Sequence, residues 1–458
     1  MPVCPYSRAM SAPTVPRADR APATPDPTPA ELIAARPGLA MHAMDGLIFA
    51  DVPLNGIADA VGTPTWVYAA PVMRARYRQL AAALAAAGLD ASIHYAVKAN
   101  DHLAVLDLFA SEGAGADVVS EGELRRALHA GMPAARIVFS GVGKSEREMR
   151  LALAEGVGQI NVESAEELAM LSEIAAATGH TARVALRVNP DVDAATHAKI
   201  TTGRAGDKFG IPHDQAVALY RHAAALPGIR PVGLATHIGS QILTMAPYRA
   251  AYARLAALVA ALREAGQAPE VVDCGGGLGV AYRDEAEGNP AALAGAIAGA
   301  LGGLKLRIAV EPGRWLVAPA GVLLASVVLT KAAGNSRFLV LDAAMNDLVR
   351  PAMYEAWHGI VPVSAAALAA EPAPADVVGP VCETGDTFAR NRLLPPLGRN
   401  ARVAILDAGA YGAVMSSTYN ARPFAAQVMI DAGRFTVIRE RQDHAALWAG
   451  ERVPAAGG

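Results

Sequence analysis

The chain has 458 residues, with 40 basic side chains against 43 acidic ones and a net charge of −3. It is long enough for two hydrophobic cores and lacks the basic excess that a nucleic acid partner requires. Mean hydropathy is +0.25, yet no apolar run reaches the ~18 residues that cross a bilayer, so no membrane partner is expected.

Residues 1–36 are rich in Pro, Ala and Thr, without the apolar stretch of a signal peptide or the acid-free pattern of a transit peptide. They read as a disordered tail, dispensable for activity. Over 37–70, short strands at 47–50 and 65–68 flank a helical turn near Ile57. This is too little to fold alone and must dock on something later in the chain. From Pro71 onward, helical stretches of ~10–15 residues alternate with short apolar runs. The runs fall at 93–97, 116–119, 137–139, 159–162, 183–188, 232–236, 271–273 and 307–310. Eight of them predict a (β/α)8 barrel over 71–330, with the Gly/Ala-rich stretch 291–304 as a core helix. Beyond 331 the pattern changes to strands and turns, at 338–341, 377–378, 403–406, 424–430 and 434–438. This predicts an all-β domain over 331–458 that is completed by the early strands near Leu47. Three cysteines, Cys4, Cys274 and Cys382, make neither a disulfide framework nor a metal-ligand spacing, and point to a reducing, cytoplasmic setting.

In such a barrel the chemistry gathers at the C-terminal ends of the strands. Lys98 ends the first run, where an amine partly withdrawn from water has a lowered pKa and can attack a carbonyl or an aldehyde. Alone, it would more often be a solvated loop lysine. Asp117 sits in the second run, Arg187 near the end of the fifth, and His237 and Ser240 just after the sixth. Gly275, Gly276 and Gly277 follow the seventh, and Glu311, Pro312, Gly313 and Arg314 follow the eighth. The glycine run fails the G-x-G-x-x-G spacing, so a phosphate wrapped by bare backbone N–H groups fits better than a dinucleotide. His237 is either a satisfied core histidine or a flat ring stacked on an aromatic cofactor, with Ser240 donating to a phosphate. Glu311 either pairs with Arg314 or sits on a pyridine nitrogen, where it would keep the ring protonated and electron-accepting. Together these strand ends describe a pyridoxal 5'-phosphate site. Asp191, Asp193 and His197 resemble a metal cluster, but they fall in what reads as a surface loop, and no metal site is expected. Arg350 and Tyr354 either belong to a solvated segment or offer a guanidinium and a phenol to a substrate carboxylate.

The segments Tyr95-Ala96-Val97-Lys98-Ala99-Asn100, His237-Ile238-Gly239-Ser240-Gln241, Gly275-Gly276-Gly277, Glu311-Pro312-Gly313-Arg314, Arg350-Pro351-Ala352-Met353-Tyr354, Cys382-Glu383 and Gly409-Ala410-Tyr411 resemble those of the diaminopimelate decarboxylases. These belong to the alanine-racemase-like, fold-type III pyridoxal phosphate enzymes. The resemblance runs in order from about Gly46 to Ala449 and leaves out only the tail. It implies that Lys98 holds the cofactor aldehyde and His237 stacks on the ring, while Glu311 meets the ring nitrogen. Ser240, Gly275 to Gly277, the loop Glu311 to Arg314 and Tyr411 would hold the phosphate, and Asp117 and Arg187 join the cofactor site. Arg314, Arg350, Tyr354, Glu383 and Tyr411 would contact substrate, with Cys382 acting in catalysis. In this family Cys382 and Glu383 reach the site from a partner subunit, so a homodimer with shared active sites is implied. Two departures, Thr384 in place of Ser and Leu397-Gly398-Arg399-Asn400 in place of a Gly-Asp turn, put nothing catalytic in doubt.

The implied reaction converts meso-2,6-diaminopimelate to L-lysine and carbon dioxide, the last step of lysine biosynthesis. The rivals are a sibling decarboxylase acting on ornithine, arginine or carboxynorspermidine, an amino acid racemase, and a non-catalytic homologue that binds the cofactor. Ornithine and arginine have no distal carboxylate and would leave Arg350 with little to do.

Overall fold

A computed structural model describes residues 26–193, 208–334 and 336–454. Its centre is a closed parallel barrel of eight strands, Ala91–Ala96, Gly115–Val118, Ile137–Phe139, Gln159–Val162, Ala182–Asn189, Ile229–Ala235, Val271–Asp273 and Arg307–Val310. Each pairs with the next, and the eighth closes on the first through Ile308 opposite Ala91 and Val310 opposite Ile93. All eight expected runs overlap these strands. The connecting helices start on a repeated local signal: Ser120, Ser145 and Ser164 each accept the backbone N–H of a glutamate three residues on, which satisfies one donor of the exposed first turn.

Side chains two apart on a strand share a face, so Val271 lies with Asp273, and Ala309 with Glu311. Val232, Val271 and Ala309 form a small apolar cluster separate from the main core. Above it the interior becomes polar. Asp117, Asn161, Asp273 and Glu311 come from four strands or their ends and are at most 7% exposed. Barrels of this kind are usually filled by branched apolar residues, so the polar content marks the end where chemistry is done.

The second sheet is built on one long strand, Gly321–Ala333. Its first half pairs with Thr65–Ala69 and Arg402–Ile405, its second half with Ser336–Leu341. Ala373–Val378 and Thr387–Leu394 extend one side, and Ala426–Asp431 and Arg434–Arg439 the other. Two expectations change. The sheet begins at Gly321 rather than after 331. The strand near Leu47 does not join it by a ladder: Leu39–His42, Gly46–Phe49 and Val52–Pro53 make their own small sheet, tied on by the Leu47 N–H donating to the Val363 carbonyl at 2.7 Å. Thr65–Ala69, buried along its whole length, is the N-terminal strand that does join.

The disordered tail expected through Arg36 is corrected from residue 26 onward; residues 1–25 lie outside the described residues. Thr28 and Glu31 form a capping box that starts the helix Pro29–Ala34, which buries Leu32 and Ile33. Arg36 follows, with its Nε 2.9 Å from Asp407 Oδ2. Asp26 sits between two arginines, 3.0 Å from Arg283 Nε and 3.1 Å from Arg392 Nε.

Candidate active site

The first barrel strand runs into a single 3-10 turn, Val97–Ala99, that presents Lys98 at the C-terminal mouth. The turn is held from outside the barrel. Tyr411 N–H donates to the Ala99 carbonyl at 2.8 Å, and Asn100 Nδ2 to the Gly409 carbonyl at 3.2 Å. The site therefore lies where the second sheet meets the barrel rim.

Lys98 Nζ stands 2.6 Å from Asp117 Oδ2. Burial works against its charge, but Asp117, Glu311 and Tyr411 outweigh burial and push the ammonium above its ordinary pKa. A lowered pKa was expected from desolvation alone; the carboxylates that arrive with the amine reverse the sign. Asp117 is fully buried, and its other oxygen, Oδ1, has no hydrogen-bond partner among the described residues. Glu311, 3.5 Å from Asn161 Nδ2, is driven well above the carboxylate range by burial and by Asp117 and Asp273.

His237 Nδ1 accepts the Gly276 N–H at 3.2 Å. Burial, then the charges of Lys98 and Arg187, hold the ring well below the usual histidine pKa. It is a neutral imidazole with its proton on Nε2. The glycines around it leave no room for side chains. A Cβ on Gly275 would lie 2.2 Å from the Thr236 carbonyl oxygen, one on Gly276 2.1 Å from that of Glu311, and one on Gly277 2.4 Å from that of Gly239. Gly275 and Gly277 also have positive φ, 67° and 101°.

Arg314 bridges this half of the site to the next. Its Nε and Nη2 donate to Ser240 Oγ at 3.2 and 3.1 Å, its Nη1 lies 2.7 Å from the Tyr282 hydroxyl, and its guanidinium lies 4.8 Å over the Tyr411 ring. Glu311 is thus not its partner. Arg350 lies 4.6 Å over the Tyr282 ring and donates to His358 Nε2 at 2.8 Å, while His358 Nδ1 donates to the Leu406 carbonyl at 2.8 Å. Lys98, His237, Ser240, Tyr282, Arg314, Arg350, Tyr354 and Tyr411 line one cavity of about 470 Å³.

The other expected residues fall outside that cavity. Arg187 is bound to Glu163 at 2.8 Å and lies 5.0 Å over Phe209, close enough for its charge to reach His237. Pro312 accepts the Ala96 N–H through its carbonyl, and Gly313 packs against Ala96 and Ala99, so both brace the lysine turn. Cys382 is exposed, its N–H donating to Asn420 Oδ1 at 3.0 Å, and Glu383 meets the Tyr419 hydroxyl. Neither meets Lys98 within one chain. His197, the third member of the candidate metal cluster, lies outside the described residues. Tyr282, His358, Asn161 and Asp273 were not anticipated. Asp273 could have been, as an acid directly before a glycine run at a strand end.

The family of pyridoxal-dependent decarboxylases, described by its pyridoxal binding domain, matches residues 72–318. A Zymomonas mobilis protein curated as diaminopimelate decarboxylase is 50% identical over 395 residues, covering 86% of this chain and 93% of the relative. A Pseudomonas aeruginosa protein of the same name is 47% identical over 410 residues, covering 89% and 98%. Among solved structures, the Helicobacter pylori diaminopimelate decarboxylase complexed with L-lysine superposes with a TM-score of 0.83 at 39% identity, over 86% of this chain and 98% of that one.

Proposed function

The chain belongs to the diaminopimelate decarboxylases, pyridoxal phosphate-dependent carboxy-lyases, and from that membership we propose how its side chains divide the work. The reaction converts meso-2,6-diaminopimelate to L-lysine and carbon dioxide, in lysine biosynthesis. Bound pyridoxal phosphate supplies an electron sink for the pair left behind when a carboxyl group departs. The residues fit that group: an amine beside a donor-free buried carboxylate oxygen, a neutral flat ring, and a glycine turn open only to backbone.

Lys98 Nζ would hold the cofactor, and Asp117 Oδ2, 2.6 Å away, would accept the proton that the ammonium must shed before it can react. His237 would stack on the ring, and burial, then the charges of Lys98 and Arg187, disfavour its protonation. Glu311 would pair with the ring nitrogen. Ser240, Gly275, Gly276, Gly277 and Arg314 would receive the phosphate, with Tyr411 stacked on Arg314, while Pro312 and Gly313 brace the lysine turn. Arg350, Arg314, Tyr354 and Tyr411 meet the substrate. The Arg314 and Arg350 guanidiniums, both against the Tyr282 ring in the 470 Å³ cavity, suit a substrate with a second carboxylate and leave ornithine underserved. The partner subunit's Cys382 and the partner subunit's Glu383 complete the site in a homodimer, Glu383 toward the distal ammonium. A proton returns to the reacting carbon from that thiol or from Lys98 Nζ. The cytoplasm is the compartment that suits a chain with so few cysteines.

The observation that carries this reading is Lys98 Nζ set 2.6 Å from Asp117, at the rim where Arg314 and Arg350 converge. Borohydride reduction followed by digestion should leave a pyridoxyl label on Lys98, and a label elsewhere, or none, would overturn it. With meso-diaminopimelate, carbon dioxide should be released; release from ornithine alone would overturn the substrate roles.

A further inference from the structure

Three carboxyl groups meet inside the barrel. Asp117 comes from the second strand, Asp273 from the end of the seventh, and Glu311 follows the eighth, at 0%, 0% and 7% exposure. One ammonium, Lys98, faces them and is already bound to Asp117 at 2.6 Å. The other polar groups nearby bring no free charge. Arg187 is paired with Glu163 at 2.8 Å, Asn161 is a neutral amide, and His94 on the first strand and His237 after the sixth have pKa values lowered by burial. With all three carboxyls ionised, two negative charges would sit away from water without compensation, which burial does not tolerate.

The contacts of Asp273 show where the compensation lies. Its Oδ1 accepts the Gly275 N–H at 3.0 Å. Its Oδ2 is buried and meets no N–H or O–H donor among the described residues. Asp273 pairs in register with Ala309 of the eighth strand, two residues before Glu311 and on the same face, and this places the Glu311 carboxyl beside it. Two carboxyl groups can bond only when one carries a proton. We propose that Asp273 and Glu311 share a single proton, which makes Asp273 the positioning residue that holds the Glu311 carboxyl in place and keeps the pair at one negative charge. That charge is the complement of one protonated ring nitrogen. The consequence rests on the role given to Glu311 above, whereas the sharing itself involves no substrate.

Infrared spectra of the holoenzyme at neutral pH test it directly. The difference spectrum of the wild-type chain against each variant should contain a protonated-carboxyl stretch that shifts on deuteration and is lost in both D273N and E311Q. No such difference band with either variant would overturn the proposal. Kinetics give a second reading. D273A should lower kcat by about tenfold with KM nearly unchanged, the scale seen for residues that orient a catalytic group. D273N, whose amide can still accept from Gly275 and donate to Glu311, should recover part of it. Equal losses in D273N and D273A would overturn the positioning role. The infrared result does not depend on which amino acid is decarboxylated, so its failure would leave the decarboxylase reading standing.

Discussion

At the scale of single residues, the site combines groups that local sequence announces with groups that only the fold brings in. Gly276 is of the first kind. Its missing Cβ is required because one would sit 2.1 Å from the Glu311 carbonyl oxygen. Gly276→Ala should therefore displace the loop that carries Glu311 and weaken cofactor binding by about tenfold or more, as read by titration of the apoenzyme with pyridoxal phosphate. His358 is of the second kind. It has no motif around it, yet it accepts from Arg350 and anchors on the Leu406 carbonyl, both at 2.8 Å. His358→Phe would leave a buried guanidinium N–H without an acceptor, a loss of about 1–3 kcal/mol. KM for diaminopimelate should rise more than kcat falls, and a variant with unchanged KM would show that Arg350 does not depend on it. Lys98, His237 and the glycines were legible because each is announced by its immediate neighbours. Tyr282 and His358 were not, because what defines them is contact with Arg314 and Arg350.

At the scale of elements, the barrel strands were readable because strands covered on both faces are continuous apolar runs bounded by turns. Gly321–Ala333 escaped for a related reason: it is buried at its start and exposed at its end, so no single pattern runs through it. The helix Pro29–Ala34 was missed although its signal was present, Thr28 and Glu31 in the S/T-x-x-E spacing; the Pro/Ala composition masked it. A variant of that same signal governs a pH effect in the helix Glu121–His129. Ser120 caps it, and Glu123 reaches back to accept the Val119 N–H at 2.7 Å. Burial is the main cause that pushes Glu123 up to about 7. Its folded-state pKa lies above the unfolded one, so its contribution to stability is complete below about pH 4.5 and is lost as the pH rises through about 7. Glu123→Gln keeps an acceptor for Val119 and cannot ionise. Its urea midpoint relative to wild type should rise between about pH 5 and about pH 8, and a constant difference would refute the assignment.

At the scale of the whole molecule, residues from the barrel and from the second sheet's part of the chain line one cavity, and the proposed homodimer would bring a second copy to it. Starting the chain at Asp26 removes none of the contacts described here and should leave activity intact. Starting it after Arg36 removes Leu32 and Ile33, 2% and 5% exposed, worth about 1.5–3 kcal/mol each. It also strands the buried Asp407 carboxylate that Arg36 holds at 2.9 Å, a further loss of about 3–5 kcal/mol. Thermal melting of the two truncations should separate them clearly. The partner subunit sets the last test. Within one chain Cys382 is exposed and absent from the Lys98 cavity, so a complete site needs a second copy if the thiol acts in catalysis. Lys98→Ala and Cys382→Ala homodimers should each be inactive or nearly so. After mixing under conditions that exchange subunits, about half the dimers would be hybrids. In each hybrid one site would carry both lesions and the other would have Lys98 from one chain and the thiol from its neighbour. Activity should therefore return to about a quarter of wild type. If each site used only residues of its own chain, every site in the mixture would keep one lesion and nothing would return.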